Sequence, residues 1–194
     1  VASGALLDAS ATERGHGGTV VAWADGHAAF QGRALARGGA AGGDGGQVET
    51  SGKQGLDARG ARVDTRAPQG QTGQWLLDPT DIVIQGGSCA APCPPAPAPG
   101  PVPATTLYEA DLEAATSNIH LLADESITVA GTFDNNNALS TNAISLPGNI
   151  NIKLETTGST GAGINLVVPG PSPQSIAIET NGTGTIELLT AGAT

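Results

Sequence analysis

Short segments in which apolar and polar residues alternate recur along the whole chain, and this alternation constrains the fold more than any other feature. Gly, Asn, Pro or Thr bounds each segment. A period of two places all the apolar side chains on one face of a β-strand. The clearest examples are Ile119-x-Leu121, Ile127-x-Val129, Ile150-x-Ile152-x-Leu154, Ile164-x-Leu166-x-Val168, Ile176-x-Ile178 and Ile186-x-Leu188. The sequence therefore predicts an all-β fold made of short strands.

The first part of the chain alternates in the same way, with clusters of glycine between the segments. Glycine tolerates positive φ and lets two backbones approach closely. We therefore predict that the cluster at residues 38–46 forms a corner between strands. The alternating segments here lie at residues 19–23, 28–30, 47–50, 62–65 and 75–77.

The supply of side chains decides between the β architectures. Of the 194 residues, only 3 % are aromatic and none is Met. A β-sandwich or jelly roll, the alternative, needs large side chains for a core about 10 Å thick. A parallel β-helix (β-solenoid) instead stacks like residues at about 4.8 Å and fills a narrow interior with Ile, Val, Leu and Ala. We therefore predict a parallel β-helix.

The spacing of isoleucines gives an expected length for one turn of that β-helix. Ile144 and Ile164 are 20 positions apart, and Ile164 and Ile186 are 22 positions apart. Repeats of about 20 to 30 residues are typical of solenoids. We therefore expect these three isoleucines to occupy equivalent positions in successive turns.

Composition divides the chain into three sections. Residues 1–86 are predicted to form β-helix turns with glycine-rich corners. Residues 87–104 hold seven of the thirteen prolines, and since proline lacks a backbone donor, this section is predicted to be a surface loop outside the β-helix. It is interpreted as a connector, with a ligand for a proline-binding module as the alternative. Residues 105–194 are predicted to form a short helix followed by further turns.

The short helix is predicted at residues 106–115. Leu107, Leu112 and Ala115 would lie on roughly one side of it, and Thr105 or Thr106 would cap its first turn.

Cys89 and Cys93 lie four positions apart in the proline-rich section. They are candidates for a local disulfide, which would indicate an oxidising compartment. Free thiols and a metal site remain as alternatives. A zinc site needs four ligands, however, and the three histidines are scattered along the sequence.

The net charge of −10 is unevenly distributed. Up to Arg66 there are seven acidic and seven basic residues, whereas beyond it eleven acidic residues accompany only Lys153. Binding to nucleic acid or to an anionic membrane requires clustered Lys and Arg. Neither is therefore expected as a partner.

Several linked motifs in the first section resemble the conserved core of filamentous-haemagglutinin-like exoproteins of the two-partner secretion family. They include a Gly-Gly-Thr-Val-Val-Ala-Trp-Ala-Asp-Gly segment at residues 17–26, a glycine-rich run at residues 36–52 and a Trp-Leu-Leu-Asp-Pro-Thr-Asp-Ile segment at residues 75–82. The match covers about residues 1–130. The matching residues assigned structural roles are Trp23, Asp25, Gly38, Gly39, Gly45, Gly46, Trp75, Leu77, Asp78 and Pro79.

This resemblance implies a right-handed parallel β-helix that an outer-membrane barrel transporter exports from a Gram-negative bacterium. It further implies a secreted or cell-surface adhesin or haemagglutinin, with a host-cell or glycan receptor as partner. Because Met is absent and Val1 lies within a patterned stretch, we expect an internal piece of a longer chain. An uncapped end of a β-helix exposes unpaired backbone groups, so end-to-end assembly into filaments is also expected.

Parallel β-helices also include polysaccharide lyases and hydrolases, which use paired carboxylates or a basic residue beside them. Asp78 and Asp81 are the nearest such pair, and a turn that ends a β-helix repeat explains them equally well. Since the second half contains no Arg and only one Lys, we expect a non-enzymatic module. A lyase or hydrolase, or a scaffold subunit of a larger complex, is the alternative. No cofactor is expected, because Gln54 follows Gly52-Lys53 where a phosphate-binding loop needs Ser or Thr.

Of three further features, the first two have two interpretations each. Trp23, Phe30 and Trp75 are predicted to pack in the core, with an exposed carbohydrate platform as the alternative. Asn181 begins a glycosylation sequon that also reads as an ordinary turn. Residues 135–137 and 149–151 are rich in Asn, and they predict internal ladders of side-chain amides.

Overall fold

The computed structural model describes residues 1–87, 105–131, 133, 143–158, 162–167 and 176–191. Strands account for 50 % of the described residues and helix for 3 %, which confirms the all-β prediction. Within these ranges no helix is long and apolar enough to cross a membrane. Cys89 and Cys93, with nearly all of the proline-rich section, lie outside the described residues, as do Asn135, Asn136 and Asn137.

The fold contains seventeen named strands and one helix, α1 (Glu109–Glu113), in the described part of the chain. The strands are β1 (Leu6–Asp8), β2 (Thr19–Ala24), β3 (His27–Ala29), β4 (Arg33–Leu35), β5 (Gln47–Gly52), β6 (Gly55–Asp57), β7 (Arg62–Asp64), β8 (Gln74–Pro79), β9 (Asp81–Gln85), β10 (Thr105–Tyr108), β11 (Asn118–Ala123), β12 (Ser126–Ala130), β13 (Ala143–Leu146), β14 (Ile152–Thr156), β15 (Gly163–Val167), β16 (Ala177–Thr180) and β17 (Ile186–Thr190).

Six strands form one long parallel sheet, in the order β2-β5-β8-β11-β14-β17. We call it the long sheet. Its strands follow one another in chain order. Between two neighbouring strands of this sheet, the chain forms two strands that belong to other sheets. Parallel neighbours require such long connections. One column of in-register partners runs through Val20, Val48, Trp75, Ile119, Ile152 and Ile186.

The remaining strands form smaller parallel sheets, in the orders β1-β4-β7, β3-β6, β10-β9-β12-β15 and β13-β16. The chain visits these sheets and the long sheet in rotation. Strands β1, β2 and β3 are followed by β4, β5 and β6, and each member of the second set pairs in register with the corresponding member of the first. The long sheet also runs without a break from the predicted first section into the third.

The expected spacing of 20 to 22 residues between equivalent isoleucines is wrong. Ile144 pairs with Ile178, Ile164 with Ile127, and Ile186 with Ile152. Ile119 also pairs with Ile152. In this half of the molecule, paired isoleucines are therefore 33 to 37 positions apart in the sequence. The three isoleucines belong to three different sheets, because each passage of the chain contributes several apolar strands.

A single core lies behind the inward faces of these sheets, and it consists mainly of small aliphatic side chains. Phe30 is fully buried and Trp75 is 4 % exposed, which confirms the core prediction for both aromatic residues. The Trp75 indole N–H donates to the Thr50 hydroxyl at 3.0 Å, so its polar atom is satisfied inside the core. Small aliphatic side chains with a few aromatic ones therefore fill the core.

The predicted helix at residues 106–115 is only partly correct. Thr105–Tyr108 is strand β10, and α1 occupies only Glu109–Glu113. The N-cap residue is Tyr108, which makes no side-chain capping hydrogen bond. Residues 105–108 alternate between buried and half-buried and pair in parallel with β9, so sheet pairing overrides the helical pattern. Leu112 and Ala115 are buried, as predicted.

The glycine corner is confirmed as a place of close backbone approach. A Cβ atom on Gly45 or Gly46 would overlap the backbone carbonyl of Thr65 or Gly18, respectively, and one on Gly39 would lie 2.6 Å from the Glu13 carbonyl oxygen. Gly38 is in a similar position against Gly43 and Asp44. These four glycines are required because the backbones touch.

Positive φ is found at other glycines of the same cluster. Gly42 and Gly43 have φ of 133° and 119°, a region that L-residues rarely adopt. Close backbone approach therefore requires glycine at some positions of the cluster, and positive φ favours it at the positions next to them.

We predict that Gly46→Ala lowers the free energy of unfolding by about 3 kcal/mol, because the added methyl group would force adjacent backbones apart. Gly163→Ala in β15 is the matched control, since nothing lies within 4 Å of a Cβ at that position. Denaturant unfolding of both variants measures the difference. Equal stability of the two variants would contradict close backbone packing at this corner.

Candidate ligand-binding surface

The outer face of the long sheet presents the richest set of functional groups in the described chain. Alternation places every second residue of each strand on this face. The outward residues include Trp23, Glu49, Leu76, Asp78, His120, Leu122, Lys153, Glu155 and Glu187. The face therefore combines an aromatic ring, carboxylates and cations on a regular sheet.

Trp23 lies on this outer face with half of its surface exposed, so the prediction that it packs in the core is wrong. In β2 the inward positions are Val20, Ala22 and Ala24. Trp23 has the opposite parity and is in register with Ser51 of β5. The alternation of residues in β2 could have placed Trp23 on the outer face from the sequence alone, but its large apolar side chain suggested burial.

A charged pair flanks the Trp23 ring. The Lys53 ammonium group lies 5.5 Å from the ring centroid, within the range of a cation–π contact. The same ammonium group is 3.5 Å from an Asp25 carboxylate oxygen. Asp25, one of the motif residues, thus helps to hold Lys53 at the ring, and the three side chains form an amphipathic corner.

Asp78 occupies the middle of the outer face. Burial raises the pKa of its carboxyl group above the ordinary value of 3.8, the carboxylates of Asp124 and Glu49 raise it further, and His120 opposes the shift. Asp81 lies on the other side of Thr80, in a different sheet, and its carboxylate accepts a hydrogen bond from the Ser126 hydroxyl at 2.5 Å. The structure therefore assigns the expected carboxylate pair to two different sheets.

A second charged group lies further along the same face. Glu155 accepts from Lys153 at 2.7 Å and contacts the His120 ring nitrogen Nε2 at 2.9 Å. The hydrogen bond from Lys153 lowers the pKa of Glu155 despite some burial, and His120 contributes in the same direction. These three residues neutralise one another in part, whereas the carboxylate of Asp78 is not paired with a cation in any described contact.

A ladder of amide side chains lines one margin of the face. Asn118 Oδ1 accepts from the Asn151 backbone N–H at 2.9 Å, and Asn151 Oδ1 accepts from the Thr185 N–H at 2.8 Å. The ladder predicted for residues 149–151 is therefore confirmed at Asn151, although it lies at the surface and not inside. Together with Gln47 and Gln74 these side chains border a groove of about 420 Å³.

The other motif residues have structural positions. Leu77 is fully buried and Trp75 nearly so. Pro79 ends β8 beyond the residues that pair with β11, so its missing N–H leaves no ladder bond unmade. Asn181 is exposed in the bend between β16 and β17, and its glycosylation stays a prediction.

Within the ranges that the structure describes, no three His, Cys, Asp or Glu side chains come together in a way that could hold a metal ion. No protein-family model matches the chain, and a search of curated proteins also found no match. The chemistry of this surface therefore has to be argued from its own residues.

We predict that Asp78→Asn stabilises the protein at pH 7 by less than about 1 kcal/mol, because solvent screens a half-buried charge. The pKa of Asp78 is higher in the folded protein than in the unfolded chain. Protonated Asp78 therefore favours folding below pH 3.8, and this stabilisation is lost as the pH rises through the raised pKa.

The gain should thus be present at pH 7 and absent at pH 3, as measured by denaturant unfolding at both values. Asp25→Asn is the control, since the Asp25 side chain is 82 % exposed and paired with Lys53, and it should bring no gain. A gain for Asp78→Asn that persists at pH 3 would contradict this electrostatic account.

Proposed function

We propose that the chain forms a right-handed parallel β-helix. The main supporting observation is the order of strands in the long sheet. The strands pair in chain order, and between each strand and the next the chain passes through the other sheets. Right-handed crossovers between parallel strands are found in about 98 % of cases. The buried columns of Ile, Leu and Val also fit the narrow interior of such a fold.

The proposed activity is structural and adhesive, as in a secreted or cell-surface module of a filamentous-haemagglutinin-like exoprotein. The motif residues support this proposal through their positions: the glycines at touching backbones, Trp75 and Leu77 in the core. In this proposal an outer-membrane barrel transporter exports the chain from a Gram-negative bacterium, and outward side chains such as Trp23 contact a host-cell or glycan receptor.

Self-association end to end is part of the same proposal. At one end, Leu7 of β1 is 36 % exposed although its in-register partner Ala34 is fully buried; at the other, Leu188 of β17 is 51 % exposed although its partner Leu154 is fully buried. Leu166 of β15 is equally exposed. Each end thus presents apolar side chains and a strand edge without a partner in the described chain, and a strand edge is a template for another strand.

A polysaccharide hydrolase is the second candidate, and one observation favours it. Glu49, an outward carboxylate on the neighbouring strand, helps to raise the pKa of Asp78, and a carboxyl group with a raised pKa can act as a general acid. The exposed aromatic ring of Trp23 would serve either activity. We favour adhesion because Asp78 and Glu49 are outward residues of two adjacent strands of the long sheet, as Trp23 is in β2.

The parallel architecture can be tested by cross-linking. Gln47→Cys combined with Gln74→Cys, in a chain whose native cysteines are replaced by Ser, should form a disulfide under mild oxidation, because these positions are in-register neighbours. Gln47→Cys combined with Asn118→Cys should not, since β8 lies between them. Non-reducing mass spectrometry distinguishes the two. Efficient bridging of the second pair, or none of the first, would contradict the proposed stacking.

Adhesion can be tested on a glycan array. We expect Trp23→Ala to weaken binding to glycans about three- to tenfold, because stacking on an aromatic face contributes about 0.5–1.5 kcal/mol. Val21→Ala, an equally exposed position in the same strand, is the control and should change binding less than twofold. Release of new reducing ends from a bound glycan, abolished by Asp78→Asn, would instead favour the hydrolase.

A further inference from the structure

A groove of about 270 Å³ lies between the sheet β1-β4-β7 and the residues around α1. We call it the arginine groove. Three arginines and two aspartates line it, together with short apolar side chains. The charged residues are Arg33, Arg62, Arg66, Asp64 and Asp111.

Two of the arginines already have partners. Arg62 donates to an Asp111 carboxylate oxygen at 3.2 Å and to the Ala61 carbonyl at 2.8 Å, both through the same nitrogen. Arg66 binds both carboxylate oxygens of Asp64, at 2.9 and 2.7 Å. The other two nitrogens of Arg62 make no hydrogen bond to the residues that the structure describes, and 57 % of its side chain is exposed.

Arg33 is the unbalanced charge of this groove. It is exposed, and its side chain makes no hydrogen bond or ion pair within the part of the chain that the structure describes. Its in-register neighbour on the adjacent strand is Arg62. Like charges directly opposite each other on neighbouring strands destabilise a sheet. A bound anion between the two guanidinium groups would remove this repulsion.

The side chains that line the groove also carry a net positive charge. It carries three positive and two negative side chains in a protein with a net charge of −10. Guanidinium groups are planar and donate in pairs to carboxylates and related oxyanions. The alanines that line the groove are short and apolar, which suits the apolar face of a sugar ring more than the side chains of an extended peptide.

We propose that the arginine groove binds an oxyanion on an acidic polysaccharide, with Arg33 and Arg62 as its donors. This inference rests on the proposed adhesive function and names a class of ligand for it. The shared chemistry is a carboxylate or a sulfate ester carried by a sugar.

The test is calorimetric titration of the full chain with a galacturonic acid trimer, a sulfated galactose trimer and a neutral galactose trimer. We expect binding of at least one charged trimer and none of the neutral one. Arg33→Gln should weaken binding about tenfold, because charge-assisted hydrogen bonds are lost. Arg33→Lys keeps the charge but loses the planar pair of donors, and it should weaken binding by a smaller factor.

A matched control keeps the result specific. Arg14→Gln makes the same change of charge at an exposed arginine outside the groove and should change the affinity less than twofold. Melting temperatures establish that Arg33→Gln is folded. The result of the carboxylate and sulfate arms identifies which oxyanion is bound.

Equal weakening by Arg14→Gln and Arg33→Gln would overturn the proposal, because it would indicate non-specific attraction. Binding of a triglutamate peptide as tight as that of the acidic trimers would also overturn it, in favour of a protein ligand. If the acidic trimers do not bind while Trp23 still carries glycan binding on the array, this inference fails alone. Failure of both surfaces would count against adhesion itself.

Discussion

In-register stacking of parallel strands is the constraint on which the rest of this structure depends. Neighbouring strands lie only about 4.8 Å apart, so each inward side chain sits directly against its partner in the strands on either side. The column through Val48, Trp75 and Ile119 shows how this works, because every member is buried by the next. Small aliphatic residues can therefore build a closed core by repetition, without a thick layer of aromatic side chains.

The same spacing leaves no room for side chains where the chain turns between sheets. The backbone N–H of Gly46 donates to the Ala36 carbonyl at 2.7 Å, and its carbonyl accepts from Gln74 of the next strand at 3.1 Å. The glycine is thus held between neighbouring backbones on two sides. The glycine clusters are consequently a requirement of the strand spacing, and they carry the regular register from β2 to β8.

Because stacking buries the inward side chains, the charged groups and the exposed aromatic ring lie on the outside of the sheets. Trp23 with Lys53, Asp78 with its neighbouring carboxylates, and the arginine groove all lie on outer faces, each assembled from strands far apart in sequence. Arg33 and Arg62 are 29 positions apart yet adjacent in register. Groups that appear isolated in the sequence thereby become neighbours, which is how a chain with few charged residues can present distinct clusters of polar and charged side chains.

The sequence by itself determined the all-β class, the burial of Phe30 and Trp75, and the glycine corner, because alternation and glycine act through local geometry. Only the tertiary structure decided which strands pair. The expected alignment of Ile144, Ile164 and Ile186 was wrong because a period of two identifies a strand but not its sheet. Strand pairing likewise placed residues 106–108 of the predicted helix in β10, since register with a neighbouring strand outweighs local propensity.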